Sequence, residues 1–548
     1  MSATNSGKFL DLFNSVDEYK QTICTKVIDV IRTSNRLGVE NFEQFMSIDS
    51  CQEKINRLSE RILNRIYQIK SPIQPSNWNH LDVDEKLEQL VDINDTLFER
   101  IASALDEADG LTKSTVSSTM RQVLEKPQLK FKYKIDNAAE IPFVPKLRTK
   151  PNAITPLPAM MMQIDLEPGN LDLLQQHPEL LDHPYFDEIE VFAPDETFLK
   201  RTEPQFPKSM DDTKYLFVDT SEKLKTMMDH IELQTELAID LEHHSYRSYQ
   251  GFTCLMQISS RTEDFLVDTL LLRDDLSILN NVFTNPKILK VFHGADWDIE
   301  WLQKDFGIYV VNMFDTHQAA KELQLPTLSL AYLLKTLCNI DASKQFQLAD
   351  WRIRPLPSDY IRYAREDTHY LLYIYDHLRN QLLDMSGGSA ENLRLVYKKS
   401  KIICQKLYKK AAFDPTAYKI LYTKFRKTTF DSNQLSALKS LHAWRDKIAR
   451  QEDESPSFVL SDLMLMHLAE LLPRDIQGIR ASCKVLPDSV DKNIEEVHRL
   501  LIEAIEKPST DLNDEKTNSG VVAETKRLHS SSASDRSDEQ MKRAKLNY

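Results

Sequence analysis

The stretch AIDLEHH, residues 238–244, holds the first side chains in this sequence whose types and spacing could do chemistry. It closes an apolar run where a strand is expected. Side chains two apart on a strand leave the same face. Asp240 and Glu242 therefore aim together, while Leu237, Ile239 and Leu241 aim the other way. Two carboxylates held side by side repel each other unless a cation lies between them. Hard carboxylate oxygens suit Mg2+ or Mn2+. A strand ending in solvated acids fits the same three letters, so the pair needs partners to make a site. His243 and His244 come next. Neighbouring strand residues point to opposite faces, and no Cys or third His stands close in sequence, which speaks against zinc.

Further acids supply the partners. In HGADWDIEWLQKDFG, residues 293–307, a helix is predicted to start near Asp296 with Ala295, Ile299, Leu302 and Phe306 on its core face. Asp296 suits the N-cap, because a short carboxylate can accept from the free N–H groups of a first turn. Asp298 lies inside that turn, where capping does not need it. In YIRYAREDTHYLL, residues 360–372, Tyr363 and Asp367 are four apart and share a helix face. Asp240, Glu242, Asp298 and Asp367 thus come from three separated segments, with Tyr363 one turn from the last.

The elements that must bring them together lie between 211 and 385. ELAIDLE, TCLMQISS, EDFLVDTL, ILKVFHG and VVNMFDT read as strands. SEKLKTMMDHI, DWDIEWLQKDF, LSLAYLLKTL and SDYIRYAREDTHYLLYIYDHLRNQLL read as helices. This alternation predicts an α/β domain around a central sheet. Residues 8–110 carry helical periodicity and 111–210 form a proline-rich extended linker, whose Phe143 and Val144 could pack along a neighbouring domain. After a helical linker at 386–429, residues 430–507 predict a second helical module, with Leu435, Leu438, Leu441 and Ile448 on or near one face. From 508 to 548 the chain is polar and is expected to be disordered.

Composition bounds the rest. The 548 residues allow two to four domains, and the net charge of −14 excludes a general polyanion binder. Any nucleic-acid site has to be a local groove, basic or metal-neutralised. Six cysteines lie far apart with no CxxC pair, so neither a zinc ribbon nor a disulfide framework is expected. No apolar stretch approaches the ~20 residues of a membrane span, and MSATNSGKFLDLFN lacks a secretory core. A soluble intracellular protein without membrane contact is the expectation.

The three acidic motifs, in order, resemble the DEDD exonuclease superfamily in its Tyr-containing branch, which includes RNase D. DLE matches the first motif, HGADWD with Asp298 the second, and YAREDTHYLL the third. The wider text, including LADWRIRPLP, is similar to the RNase D-like catalytic subunits of the nuclear RNA exosome (the polymyositis–scleroderma autoantigen family). Residues 430–507 resemble the HRDC module, and the N-terminal helices resemble a domain of that family that binds a small helical nuclear cofactor.

The resemblance implies an RNase H-like exonuclease domain with a mixed central sheet, flanked by an N-terminal helical domain and a C-terminal HRDC domain. It implies hydrolysis from RNA 3′ ends to nucleoside 5′-monophosphates with two divalent cations, Mg2+ or Mn2+. Asp240 would bridge both ions, Glu242 and Asp367 would hold the nucleophile-side ion, and Asp298 the other. Tyr363 would position the attacking water. His243, Trp301 and Lys344 would contact the terminal nucleotide. Processing and decay of rRNA and other nuclear RNAs, in nucleus and nucleolus with the exosome core, follow from the same resemblance. A DNA exonuclease on the same fold and a catalytically weak exosome scaffold are the rivals.

Overall fold

Six strands build one mixed sheet in the order β1-β4-β3-β2-β5-β6. They are β1 (Lys214–Val218), β2 (Glu236–His244), β3 (Phe252–Ser259), β4 (Glu263–Asp268), β5 (Leu289–Phe292) and β6 (Met313–Asp315). β3 runs antiparallel to both β2 and β4, whereas β1–β4, β2–β5 and β5–β6 are parallel. The computed structural model describes residues 126–139, 141–158, 171–342, 346, 349–425, 429–483 and 486–506, all within one compact unit, Ala102–Tyr548. The helices expected at 8–110, the tail at 508–548 and Lys344 lie outside the described residues. β1 was not among the expected strands, because KYLFV is short and carries no alternation.

The middle of the sheet is dry on both faces. Every residue of β3 is buried. Leu237, Ile239 and Leu241 of β2 enter the main core with Met256, Ile258 and the Ile299, Leu302 and Phe306 side chains of a helix at Asp296–Phe306. Burying such a side chain contributes about 1.5–3 kcal/mol. A one-residue slip of β2 would exchange these three for the acids, so the core fixes which way Asp240 and Glu242 point. One residue of β3 is unpaired: Glu242 faces Leu255 but His243 faces Thr253, which leaves a bulge at Cys254.

Four helices matter for the site. α1 is Asp296–Phe306, α2 Ser358–His369, α3 Leu371–Met385 and α4 Glu391–Cys404. The run expected as one helix from 358 onward divides at Tyr370, whose N–H turns back to the Thr368 carbonyl. The division serves two surfaces. Tyr360 and Ala364 of α2 pack over Phe252, Leu255 and Leu266 of the sheet, while Leu371, Ile374 and Leu378 of α3 pack over Leu289 and Val291. The Asp296 expectation is corrected. Ala295 occupies the N-cap without a side-chain bond, and Asp296 begins the helix, where it pairs with Lys406.

Beyond 430 the chain forms a helical module on its own core. Its longest helix, α5 (Ser432–Glu452), starts on a capping box made by Asp431 and Gln434. Leu438, Leu441, Trp444 and Ile448 meet Leu465 and Leu468, together with Val497 and Leu501. This module grips the loop after β2. Arg247 donates to Glu454 at 2.9 and 2.8 Å, and Lys126 reaches the same carboxylate at 2.7 Å. Asp453, in the left-handed region at φ 48°, accepts from the Ser248 hydroxyl at 2.9 Å and the Tyr249 N–H at 3.0 Å. The linker also packs: Phe143 stands edge-on to Tyr408 at 5.0 Å, and Val144 lies against the main core.

Candidate active site

Asp240 and Glu242 leave β2 on the face that α2 covers. Asp367, on α2, leans toward them. One oxygen of each of the three carboxylates lies within 4.8 Å of the others. The opposite side of α2 is pinned to the sheet. Arg365 Nε donates to Asp264 at 3.0 Å, His369 Nδ1 lies 3.0 Å from the same carboxylate, and the Thr368 and Ser259 hydroxyls are 2.8 Å apart. These bonds set the rotation of the helix and therefore aim Asp367. Tyr363, one turn earlier, bonds to Asp367 and rests on Trp351 and Phe346.

Asp298 comes from the first turn of α1, just past the end of β5. It lies outside the 4.8 Å set, yet its charge bears on Glu242 and the charge of Asp240 bears on it. The turn before α1 is held by Asp315, at the end of β6. The buried Asp315 carboxylate accepts from the N–H groups of Gly294 at 2.9 Å and Ala295 at 3.0 Å. Gly294 has φ 70°, a conformation that suits glycine.

The electrostatics of the four acids are uniform. Burial raises every one of them, and the neighbouring carboxylates push Glu242, Asp298 and Asp367 further. Asp240 is raised to about 6. Among the described residues no lysine or arginine side chain pairs with any of the four. The neutral amide of Gln257, directly across from Asp240 in the strand register, donates to Glu242 at 3.2 Å and approaches Asp240 at 3.5 Å. A cluster of buried and half-buried carboxylates with no described cation paired to it is a strong seat for hard divalent cations.

Beside the acids lies an aromatic ledge. The His243 ring stacks on Trp301 with centroids 4.2 Å apart and planes 6° apart. Burial and the nearby Lys304 ammonium lower His243 to about 3, so the ring is neutral. Lys304 Nζ sits 3.3 Å from His243 Nε2 and donates to the carbonyls of Gln250 and Gly251 at 2.9 and 2.7 Å. Gly251 closes the slot from behind. A Cβ placed there would come 2.2 Å from His243 Cε1. His244 points elsewhere: its Nε2 accepts from the Arg247 N–H at 3.0 Å, and the two histidines share no ligand set.

Sequence reasoning singled out the four carboxylates, Tyr363, His243 and Trp301, and the fold gathers all of them around one end of β2. Gln257 and Asp315 were missed. Gln257 had a signal, since it is the one amide inside the buried run TCLMQIS. Asp315 had none, because it acts through backbone groups twenty residues away.

Comparison with known proteins gives matches along much of the chain. The profile of the 3′-5′ exonuclease family matches residues 215–383, the HRDC domain profile residues 434–501, and the NUC016 domain profile residues 28–110. The chain is 42% identical to human exosome complex component 10 over 572 residues, covering 93% of this chain and 64% of that protein. It is 36% identical to the Saccharomyces cerevisiae exosome complex exonuclease RRP6 over 520 residues, covering 89% of this chain and 69% of the relative. The crystal structure of the catalytic core of RRP6 from Trypanosoma brucei superimposes with a TM-score of 0.62 at 35% identity, over 70% of this chain and 99% of that one. The chain therefore spans a little under two thirds of the human relative's length.

Proposed function

Because the chain belongs to the family of exosome complex component 10 and the exosome exonuclease RRP6, we propose that it is a hydrolytic, metal-dependent 3′→5′ exoribonuclease of the nuclear exosome. The observation that carries this reading is the convergence of Asp240, Glu242 and Asp367 within 4.8 Å, with no lysine or arginine paired to them among the described residues.

Asp240, Glu242, Asp298 and Asp367 are the residues that would hold two divalent cations, Mg2+ or Mn2+. Such ions supply Lewis-acid stabilisation of the scissile phosphate and an acidified water. Asp367 fixes the Tyr363 hydroxyl by their hydrogen bond, so that the phenol orients the attacking water rather than removing its proton. Ring packing on Trp351 and Phe346 keeps that hydroxyl in place. Water adds to the last internucleotide phosphorus and the bond to the upstream O3′ breaks. A nucleoside 5′-monophosphate leaves, and a shortened RNA with a free 3′-OH remains. His243, uncharged, backs Trp301, and Trp301 lies against the terminal nucleotide. Lys344, in SKQFQLADW, is assigned to a phosphate on its sequence alone.

The partners follow from the family. They are RNA 3′ ends, the exosome core, and a small helical cofactor protein bound through the N-terminal domain. The place of action is the nucleus, including the nucleolus. The purified 548-residue chain with labelled RNA and Mg2+ tests the activity. Stepwise loss of nucleoside 5′-monophosphates that stops with EDTA and with Asp298→Asn is the expected result. Faster hydrolysis of a matched DNA oligomer, or no metal-dependent release at all, would overturn it.

A further inference from the structure

An exposed tryptophan stands at the mouth of this site. Trp297 keeps 65% of its surface in water, far more than a ring of that size retains when it serves the core. It sits between the helix-starting Asp296 and the carboxylate Asp298. It lies four residues before Trp301, so the two rings share one side of α1. Their centroids are 6.5 Å apart and their planes differ by 23°. Trp301 in turn stacks on His243. Three rings thus make a ladder with its inner rung wedged behind Gly251 and its outer rung open to solvent. The inner rungs have structural reasons: Trp301 packs against the main core, and His243 is locked between Trp301 and Lys304. The outer rung has no such reason, and an exposed indole gains nothing from solvent.

We propose that Trp297 is a nucleobase-stacking platform that holds one base of the single-stranded RNA end as it enters the acidic cluster. The reading rests on the proposed exoribonuclease activity and adds a binding residue to it. Stacking suits an enzyme that must accept every base in turn, because each base has a π face and the contact ignores its edge groups. Such a contact contributes about 1–3 kcal/mol per base, which corresponds to about 5- to 150-fold in affinity. The orientation is favourable as well. The helix that carries Trp297 also carries Asp298, so the platform is rigidly tied to the group that would help hold the scissile phosphate.

The test compares wild type, Trp297→Ala and Trp297→Phe in the 548-residue chain. One readout is binding of labelled RNA in Ca2+ by fluorescence anisotropy. The other is KM and kcat for release in Mg2+. Trp297→Ala should weaken binding and raise KM about tenfold with kcat held within twofold, and Trp297→Phe should recover most of the loss. A scan of single abasic nucleotides through the last four positions locates the base. At one position the wild type should fall to the level of Trp297→Ala, and there the mutation should cost nothing more. Equal binding of all oligomers by wild type and Trp297→Ala would overturn the proposal, leaving the ring as a contact for another protein. So would a loss independent of the abasic position. A wild type that releases no nucleotide would instead overturn the activity, and the anisotropy comparison would still report on the platform.

Discussion

Asp240, half-buried, and Asp305, buried, both stand in the same exonuclease domain, and the protein treats them in opposite ways. Asp305 receives Arg273 at 2.7 Å, the Thr253 N–H at 2.7 Å and the Thr253 hydroxyl at 2.8 Å. Burial alone would push its pKa up, but Arg273 and Lys304 pull it far below the usual carboxylate range. Asp240 has burial against it, with a backbone N–H and the distant Gln257 amide but no cation in its favour among the described residues. The two environments differ in what they leave undone. At Asp305 the protein completes its own ion pair, and the result is a structural joint between β3 and α1. At Asp240 it gathers acids and, among the described residues, pairs them with no lysine or arginine, a state suited to an ion from outside. A buried acid therefore says little by itself, and its company distinguishes framework from site.

Removing a charge should have opposite consequences on the two sides of this comparison. The largest effect is expected for Asp298→Asn or Asp240→Asn. Metal-dependent RNA degradation should fall about 10³-fold, on the order of 4 kcal/mol in barrier, while the metal-free melting temperature stays level or rises because repulsion is relieved. A metal-free protein that melts markedly lower would place these residues with Asp305 instead. For Asp305→Ala the order reverses. Leaving Arg273 and Lys304 buried without their partner should cost about 3 kcal/mol of stability, visible in urea denaturation, and activity should follow the folded fraction.

A pH titration of stability sharpens the contrast. Asp240 has a raised pKa in the fold, so its proton-linked stability is complete below the unfolded value of 3.8 and is lost as pH rises through about 6. Asp305 is depressed, so its contribution is present above that unfolded value and is lost as pH falls below it. Between pH 5.5 and pH 7.5 metal-free wild type should therefore lose stability relative to metal-free Asp240→Asn, by about 3 °C in melting temperature if roughly 1 kcal/mol is at stake. Mg2+ should raise the melting temperature more at pH 7.5 than at 5.5. Equal Mg2+ shifts at both values would remove the cluster as the binding place. The smallest effect is expected for Gln257→Ala. It deletes a neutral donor to Glu242, worth about 1 kcal/mol, and should reduce turnover severalfold without lowering the melting temperature by more than a few degrees.

Much of the site could be read before the fold was known, because an acid carries its meaning in spacing. Asp240 and Glu242 share a strand face, and Tyr363 and Asp367 share a helix face, by periodicity alone. The sheet between them could be read for the same reason, as apolar runs of strand length. What escaped is what acts across the chain. Gln257 matters because strand pairing sets it against Asp240, and Asp315 because it catches two backbone N–H groups far along the chain. Trp297 carried no reading in the sequence, and its meaning lies in its exposure and its alignment with Trp301. The Asp296 expectation failed for a related reason. Lys406, 110 residues later, competes for that carboxylate and wins it from the cap. The break at Tyr370 escaped because both halves carry good helical periodicity, and only the two surfaces they cover demand separate directions.

Gly251 gives the aromatic ledge a property that neither ring could give it. Where side chains shape a recess, each rotamer change reshapes it. Here a bare backbone forms the rear wall, and its only protrusion toward His243 is a hydrogen atom. With φ at 67° and no room for a methyl group, the position has a single permitted letter. The spacing behind His243 is thus a mechanical constant of the molecule, indifferent to salt and pH.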